Sequence, residues 1–460
     1  MAYGKTIAAI STPSGKGGVA IIRISGEDAF SVLKRVFVPL GKTQPTDAPR
    51  KQIYGNVIFR GECIDDGMAT AFPAPNSYTG EDTAEITCHG GILITRKVLS
   101  AVLTAGAYPA EAGEFTRRAY INGKITLSEA EGVGNLLEAK TDEQLRLSSA
   151  ASRSRLSYAI EEIRKRLVDL LSSIFARIDY PDEDLGDFDD KESLTRLYEI
   201  RDMIRALLST YPTGKAINEG VRTVLCGRPN VGKSTLYNAI LGEDAAIVTD
   251  LEGTTRDVLT ASAQLGRVML SLSDTAGVRE GGDAIEKIGI EKTRDKLNSA
   301  ELILALFDSS REACEEDIML LSLLDGLSAP KIAILNKCEL KERFDRSLLG
   351  TRFERVVEIS AKENSRDALL KLGGAVEELF TDEKIDTGRD AIVYSARQNA
   401  ALIRAEDSVL SAIDAFSKGV FTDAAASEVE AALSAIAEAD GKAVCDEIVA
   451  DIFSKFCVGK

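Results

Sequence analysis

The spacing of hydrophobic and polar positions changes several times along the chain. Residues 5–125 carry short apolar runs separated by Gly and Pro, such as Val19–Ile24, Ile53–Phe59 and Ala84–Thr87. Runs of this length bounded by turn residues are typical of β-strands. We therefore expect residues 1–122 to form a small N-terminal α+β domain.

From Thr126 the apolar residues recur at three-and-four spacing, which predicts amphipathic helices. The positions that carry this pattern are Leu127, Ala130, Val133, Leu136, Leu137, Ile160, Ile163, Leu167, Leu170 and Leu171. Helices are expected to about Tyr211, where Pro212–Gly214 predicts a break.

After this break the pattern alternates between strands and helices. The predicted strands are Thr223–Cys226, Met269–Leu272, Leu302–Phe307, Ile332–Leu335 and Val356–Ile359. Strands that alternate with helical segments predict a doubly wound parallel sheet.

Helical spacing returns from about Arg389, at Asn399–Ala415 and Ala424–Ala439. The order helix, α/β insert, helix predicts one helical bundle built from residues 123–216 and 382–460, with residues 217–381 inserted. The ends of the insert should then lie close together. Separate flanking helical domains are the alternative.

Composition excludes several classes of protein. The 56 basic and 72 acidic side chains give a net charge of −16, so no overall positive field attracts nucleic acid, and any RNA contact must be local. Seven cysteines without a CxxC pair and a single histidine favour reduced thiols over disulfides or a Cys/His metal cluster. Without a signal sequence or an apolar run of about 20 residues, we expect a cytoplasmic protein with no membrane partner.

The segment Gly227–Ser234 reads GRPNVGKS and fits the phosphate-binding loop pattern GxxxxGK[ST]. It follows a predicted strand and precedes a helical run at Leu236–Leu241, which is the context that the motif requires. Its N–H groups can hold phosphates at a helix N-terminus, Lys233 can neutralise the β and γ phosphates, and the Ser234 hydroxyl can bind Mg²⁺.

Four further segments follow in the order expected of a GTPase. They are Gly253-Thr254-Thr255-Arg256-Asp257, Asp274-Thr275-Ala276-Gly277, Asn336-Lys337-Cys338-Glu339 and Ser360-Ala361-Lys362. The first would supply Thr255 as a second Mg²⁺ ligand, and the second would place Asp274 near Mg²⁺ and the Gly277 N–H at the γ-phosphate. The last two resemble the loops that read and enclose guanine.

Two positions depart from the common GTPase pattern. Glu339 stands where an aspartate usually accepts hydrogen bonds from guanine, and its longer carboxylate arm still offers two acceptors. Val278 stands where signalling GTPases carry a glutamine that orients the attacking water, so another polar group must do this. Spacing alone leaves four candidates open, namely Arg279, Glu280, Asp283 and Glu286.

Over nearly its whole length the chain resembles the MnmE (TrmE) family of tRNA-modification GTPases. The segments outside the GTPase motifs that carry this resemblance are Thr6-Ile7-Ala8-Ala9, Gly17–Gly26, Tyr78-Thr79-Gly80-Glu81-Asp82, Glu114–Tyr120 and Phe456-Cys457-Val458-Gly459-Lys460.

The resemblance implies a homodimer that acts with the flavoprotein MnmG, in a heterotetramer, on tRNA. The product would be a carboxymethylaminomethyl or aminomethyl group at C5 of the wobble uridine. A tetrahydrofolate derivative, 5-formyl or 5,10-methylene, would supply the one-carbon unit and bind the N-terminal, dimerising domain. By match to the family's motifs, the folate contacts would be Arg23, Glu85, Lys124 and Lys460.

The resemblance also implies K⁺ beside the phosphates, where a cation offsets charge that develops during phosphoryl transfer. Asn230 would bind K⁺ through its side chain, and Thr249, Leu251 and Thr254 through their carbonyls. Glu286 matches the family's water-orienting glutamate.

The implied catalytic set is Glu286, Asp274, Arg256 and the tail thiol of Cys457. The implied GTP-binding set is Asn230, Val231, Gly232, Lys233, Ser234, Thr235, Thr249, Asp250, Leu251, Glu252, Gly253, Thr254, Thr255, Asp274, Thr275, Ala276, Gly277, Asn336, Lys337, Glu339, Ser360, Ala361 and Lys362.

A GTP-switched RNA-binding or ribosome-assembly factor would share every nucleotide motif. It would also need an appended basic and aromatic RNA-binding domain, and the sequence contains no such segment. A packed structural cysteine remains the alternative for Cys457, since nothing near it in sequence would activate a thiol.

Overall fold

The computed structural model describes residues 4–179, 190–242, 260–274, 296–418, 422–442 and 446–459. The chain divides into two compact units. One contains Met1–Leu137, Ala151–Val168 and Leu433–Lys460, and the other contains Glu138–Ala150 and Asp169–Ala432.

The first unit contains a seven-stranded sheet with the order β3-β4-β5-β6-β2-β1-β7. Its strands are β1 (Ile7–Ile10), β2 (Val19–Ser25), β3 (Phe37–Pro39), β4 (Ile53–Phe59), β5 (Glu62–Phe72), β6 (Thr83–His89) and β7 (Tyr108–Pro109). Neighbouring strands are antiparallel except for the parallel pair β1 and β7. The predicted α+β character of this part is therefore confirmed.

Alternation along the strands sets the core of this sheet. In β2, Ala20, Ile22 and Ile24 are buried while the residues between them are not. The helices that follow are α1 (Ala29–Val36), α2 (Ile92–Thr104) and α3 (Glu114–Ile121). Apolar residues of α1 and α2 join the core of β2, whereas α3 inserts Phe115 against Ile7 of β1.

Four more helices follow in sequence. They are α4 (Leu127–Glu138), α5 (Asp142–Ser152), α6 (Arg155–Asp179) and α7 (Asp190–Asn218). The buried positions Ile160, Ile163, Leu167 and Leu170 lie along one face of α6, as their spacing predicts.

The predicted break at Pro212–Gly214 is wrong, because α7 continues through it to Asn218. Pro212 removes one helical N–H and so weakens the helix locally. Packing compensates: the Thr210 hydroxyl accepts the Val393 N–H at 3.0 Å, and a Cβ on Gly214 would lie 2.1 Å from the Val393 carbonyl oxygen. Tertiary contact therefore overrides the local signal.

The second unit contains a six-stranded sheet with the order β13-β12-β11-β8-β10-β9. Its strands are β8 (Val221–Cys226), β9 (Thr260–Leu265), β10 (Val268–Asp274), β11 (Leu302–Asp308), β12 (Lys331–Asn336) and β13 (Arg355–Ile359). All pairs are parallel except β9 with β10. Every residue of β11 and β12 is buried, as expected for central parallel strands covered on both faces.

The helices of this sheet are α8 (Lys233–Leu241), α9 (Glu315–Leu324) and α10 (Ser365–Phe380). Leu236 and Leu372 belong to the core on one face, and Leu321 belongs to the core on the other face. The expected doubly wound arrangement is confirmed, with the antiparallel β9 added at one edge.

The remaining helices are α11 (Ala396–Ser417), α12 (Thr422–Ala439) and α13 (Asp446–Ser454). Helix α11 packs along α7, so helices from before and after the six-stranded sheet are in contact. Buried Gln398 begins α11 with Ser395 in a capping box. Within the described parts of the chain, no helix combines the length and apolar character needed to cross a bilayer.

Candidate nucleotide site and a second polar site

The phosphate-binding loop lies between β8 and α8, as its sequence predicts. Gly232 has φ 104°, and a Cβ there would lie 2.2 Å from Asn336 Nδ2, so only glycine fits. Ser234 and Thr235 are exposed in the first turn of α8. A helix N-terminus with an exposed hydroxyl suits a phosphate chain with its Mg²⁺.

The Lys233 ammonium lies inside the same loop. Its Nζ donates to the carbonyl oxygens of Gly227 at 2.6 Å and Arg228 at 2.8 Å. The phosphate-neutralising charge therefore sits within the loop that would hold the phosphates. Cys226 precedes this loop, and burial raises the pKa of its thiol to about 12, so the thiol stays protonated.

Asn336 joins the phosphate loop to the segment after β13. Its Nδ2 donates to the Val231 carbonyl at 2.8 Å, and its Oδ1 accepts the Ala361 N–H at 3.0 Å. Both hydrogen bonds are buried, so one side chain fixes two loops of the nucleotide site.

Lys337 makes a second connection to the phosphate loop. Its Nζ donates to the Asn230 carbonyl at 3.1 Å and to Asp308 Oδ2 at 2.6 Å. Asp308, which ends β11 and pairs in register with Asn336, lies outside the sequence motifs described above. An acidic residue ending a buried apolar strand was the signal that could have identified it.

The other residues of the expected base-reading loops differ in exposure. Ser360 and Ala361 are buried, whereas Lys362 is exposed. Glu339 is also exposed, which leaves its carboxylate free to turn towards a base. The structure thus brings together Asn230–Thr235, Asn336, Lys337 and the loop after β13.

The other expected nucleotide residues lie largely outside the described residues. Asp274 ends β10, and its backbone pairs in register with Leu225 of β8. The predicted residues outside the description are Thr249, Asp250, Leu251, Glu252, Gly253, Thr254, Thr255, Arg256, Thr275, Ala276, Gly277 and Glu286.

A second polar site lies on the N-terminal sheet. Arg23 on β2 and Glu85 on β6 are paired in register, and Arg23 Nε lies 2.9 Å from Glu85 Oε1. The Arg23 guanidinium lies 5.4 Å from the Tyr78 ring centroid and 5.7 Å from that of Phe115. A charged pair beside two aromatic rings can bind a flat, polar heterocycle. Neither aromatic residue is among the folate contacts that the family resemblance implies.

Lys124 joins the loop that carries Tyr78. Its Nζ donates to the Pro75 carbonyl at 3.0 Å, and its stem lies against Gly80. The structure therefore connects Lys124 to the loop over Arg23 rather than to Arg23 itself.

The C-terminal tail packs against the same sheet. Val458 forms a bridge with Ala112, and the Ser11 hydroxyl donates to the Gly459 carbonyl at 3.0 Å. A Cβ on Gly459 would lie 2.2 Å from the Ile10 carbonyl oxygen. Cys457 is exposed on this tail, while Lys460 lies outside the described residues.

His89, at the end of β6, lies in a small cluster with Asp65 and Asp66, in which His89 and Asp66 are exposed and Asp65 is partly buried. Its Nδ1 lies 2.8 Å from Asp65 Oδ1, and its backbone N–H donates to Asp65 Oδ2 at 2.9 Å. Asp66 accepts the Tyr54 hydroxyl at 2.5 Å. These hydrogen bonds account for the cluster.

Comparison with known proteins identifies the family. The sequence model described as “GTP-binding protein TrmE N-terminus” matches residues 6–124, and that described as “MnmE helical domain” matches residues 127–457. The chain belongs to the MnmE family of tRNA modification GTPases. The resemblance expected from the motifs is confirmed, and the enzyme class is that of a GTPase.

Relatives named MnmE match at full length. The tRNA modification GTPase MnmE of Carboxydothermus hydrogenoformans is 38% identical over 461 residues, covering 99% of each chain. That of Clostridioides difficile is 36% identical over 458 residues, again covering 99% of each chain.

Among solved structures, the G domain of the T. maritima FeoB iron transporter is 25% identical, with a TM-score of 0.24. The match covers 33% of this chain and 96% of that chain.

Proposed function

We propose that this chain hydrolyses GTP with Mg²⁺ and, with the flavoprotein MnmG, modifies C5 of the wobble uridine of certain tRNAs. The added group is carboxymethylaminomethyl or aminomethyl, and a tetrahydrofolate derivative supplies its one-carbon unit. The observation that carries this proposal is the combination of three features in one chain. The chain has full-length MnmE relatives, its phosphate loop is hydrogen-bonded to the guanine-reading Asn336, and its Arg23–Glu85 ion pair lies beside aromatic rings.

At the nucleotide site, the phosphate-loop N–H groups and Lys233 bind the phosphates. The Ser234 and Thr255 hydroxyls would hold Mg²⁺ directly, and Asp274 would hold it through water. Asn336 and Glu339 read guanine. Ser234 is exposed at the start of α8 and Glu339 is exposed after β12, which leaves both accessible to a nucleotide. Bound Mg²⁺ neutralises charge on the β and γ phosphates.

Asn230 and the carbonyls of Thr249, Leu251 and Thr254 would hold K⁺, which would offset the charge that develops during hydrolysis. Asn230 supports this proposal because it is exposed within the phosphate loop, at φ 63°. We assign Glu286 to orienting the attacking water and Arg256, in the switch segment, to the catalytic residues. Contact between the nucleotide domains of a homodimer completes this site.

The folate derivative binds at Arg23, Glu85, Lys124 and Lys460. The Arg23–Glu85 ion pair is only partly exposed, with 19% and 24% of the two side chains accessible, so a ligand there would meet charges that water screens poorly. Cys457 is exposed on the neighbouring tail, which leaves its thiol accessible for the modification step.

We assign residues 1–122 to folate binding and dimerisation, residues 123–216 and 382–460 to a discontinuous helical domain, and residues 217–381 to the inserted nucleotide domain. The two family matches meet near the first of these boundaries, at residues 124 and 127.

The nucleotide part is tested by GTP hydrolysis in K⁺ and then in Na⁺ at several protein concentrations. We expect a faster rate in K⁺ that rises with protein concentration and is lost in Asn230→Ala. The matched control is Asn364→Ala, whose side chain caps α10 away from the phosphate loop. Equal rates in both salts, without concentration dependence, would contradict the K⁺-dependent dimer.

The folate part is tested by titrating 5-formyltetrahydrofolate into the full chain and into Arg23→Gln. We expect binding to weaken by about tenfold or more, since the variant loses a charged hydrogen bond and leaves Glu85 unpaired. Arg35→Gln is the control, because the Arg35 guanidinium donates an exposed hydrogen bond to the Ala105 carbonyl at 2.6 Å rather than to Glu85. Equal affinity for both variants would argue against this site.

A further inference from the structure

Asp308 is a carboxylate that the fold buries at the edge of the nucleotide site. It ends β11, pairs in register with Asn336 of β12, and is 2% exposed. A buried carboxylate is costly unless cations and hydrogen-bond donors surround it.

Its donors come from two neighbouring segments. Lys337 Nζ lies 2.6 Å from Oδ2, while the Ser310 N–H and hydroxyl donate to Oδ1 at 3.0 and 2.6 Å. Burial raises the pKa of Asp308, but these donors outweigh burial, and the pKa lies below its ordinary value. Asp308 is therefore a negatively charged carboxylate with one oxygen bound by Lys337 and the other bound by Ser310.

The ammonium that neutralises Asp308 is the one that holds the phosphate loop. Lys337 Nζ also donates to the Asn230 carbonyl at 3.1 Å. Replacing Asp308 by a neutral residue would leave the half-buried Lys337 ammonium without its closest counter-ion. The ammonium would then be better solvated if it turned towards water.

A second cation from the phosphate loop lies beside the same carboxylate. Arg228 has 14% of its side chain exposed, with Nη2 3.9 Å from Asp308 and Nε 3.3 Å from the buried Asp317 of α9. Two cations thus lie near the end of β11: Lys337, which contacts the phosphate loop, and Arg228, which is part of that loop.

We propose that Asp308 is a positioning residue for guanine-nucleotide binding, acting through Lys337 to hold the Asn230 end of the phosphate loop against the base-reading segment. Asp308 does not itself reach the nucleotide loop backbone in the structure; the ammonium of Lys337 makes that contact. The inference rests on the proposed GTP binding and adds a residue that no GTPase motif contains.

The direct test compares nucleotide binding by the Asp308→Asn variant with binding by the unsubstituted full-length chain. Asparagine keeps the size and accepting oxygen but removes the charge. We expect dissociation constants for GDP and GTP to rise by about tenfold, because a charged hydrogen bond contributes on that order. KM for GTP should rise by a similar factor while kcat stays within about twofold, since the contact serves bound substrate and transition state alike.

The matched control is Asp325→Asn in the same sheet domain. Asp325 pairs with Arg352 at 2.6 Å, and 53% of its side chain is exposed. We expect its nucleotide affinity to equal that of the unsubstituted chain. If the unsubstituted chain failed to bind GDP, the proposed function itself would be wrong; if it bound GDP and Asp308→Asn bound equally well, only the positioning role would be wrong.

A double-mutant cycle separates positioning from general stability. If Asp308 acts through Lys337, Asp308→Asn should cost no further affinity once Lys337→Met is present. Additive losses would overturn the inference.

Should Asp308→Asn fail to fold, Ser310→Ala tests the same carboxylate by removing one of its donors. We expect nucleotide affinity to fall by about threefold. Unchanged affinity would count against the inference.

Discussion

Asn336 gives the nucleotide site its most directly testable contact. Replacing it by alanine removes the bonds to the Val231 carbonyl and the Ala361 N–H, and leaves both buried groups without this partner. We expect GDP affinity to fall by at least about tenfold and the free energy of unfolding to fall by about 2 kcal/mol. Titration with a fluorescent GDP analogue and urea unfolding measure the two effects.

Asn364→Ala serves as the comparison for this variant. Asn364 accepts the Asp367 N–H at 3.3 Å at the start of α10, so its loss should cost about 1 kcal/mol of stability without changing affinity. Equal GDP affinities for the two variants would contradict the role given to Asn336.

The low pKa of Asp308 makes a prediction about pH. Since the folded pKa lies below the ordinary value of 3.8, the unfolded chain binds the proton more readily, and folding gains stability from the ionised group above that value. The gain is lost as the pH falls through the folded pKa. Asp308→Asn should therefore be less stable than the unsubstituted chain by a constant amount from about pH 7 to about pH 5.

Below about pH 4 this difference should shrink, as the urea midpoints of the two proteins approach each other. A difference that grew as the pH fell would have the wrong sign for a carboxylate held in its charged form.

At the scale of single residues, the sequence identified candidate site residues that belong to a known motif, such as Lys233 and Asn336. It could not predict Asp308, Tyr78 or Phe115, because their roles arise from strand register and from a loop folded over β2. These contacts join residues far apart in the chain, and local spacing carries no signal for them.

At the scale of elements, two adjacent glycines in α10 offer a paired test. A Cβ on Gly374 would meet nothing within 4 Å, whereas one on Gly373 would lie 3.2 Å from the Gly266 backbone nitrogen. Gly374→Ala should stabilise the protein by about 0.5 to 1 kcal/mol, because alanine loses less backbone entropy in a helix.

Gly373→Ala gains the same helix propensity but presses on the turn before β10, so its stability should not exceed that of the unsubstituted chain. Thermal unfolding of both variants makes the comparison. A lower Tm for Gly374→Ala than for Gly373→Ala would contradict the packing described for α10.

Elements with strong periodicity were the ones that sequence predicted well. The bounds of β4 agree with the apolar run at Ile53–Phe59, and α11 and α12 contain their predicted runs. The polar strand β5 escaped prediction because Glu62–Phe72 contains Asp65, Asp66 and Gly67. Pro212 predicted a helix break that does not occur, because contacts from Val393 stabilise α7 where the proline alone would weaken it.

At the scale of the whole molecule, the order of strand-rich, helical, α/β and helical segments was predictable from spacing alone. The antiparallel β9 was not, because a short edge strand carries no mark of its direction. The family matches extend across residues 6–124 and 127–457, so the same order supports an MnmE architecture.

The proposed role of this MnmE family member is wobble-uridine modification. Nucleoside mass spectrometry of tRNA from cells lacking the gene tests it most directly, with the full chain or Lys233→Ala restored. We predict that C5-carboxymethylaminomethyl or aminomethyl uridine disappears, returns with the full chain, and does not return with Lys233→Ala. Unchanged wobble uridine in cells lacking the gene would contradict the account.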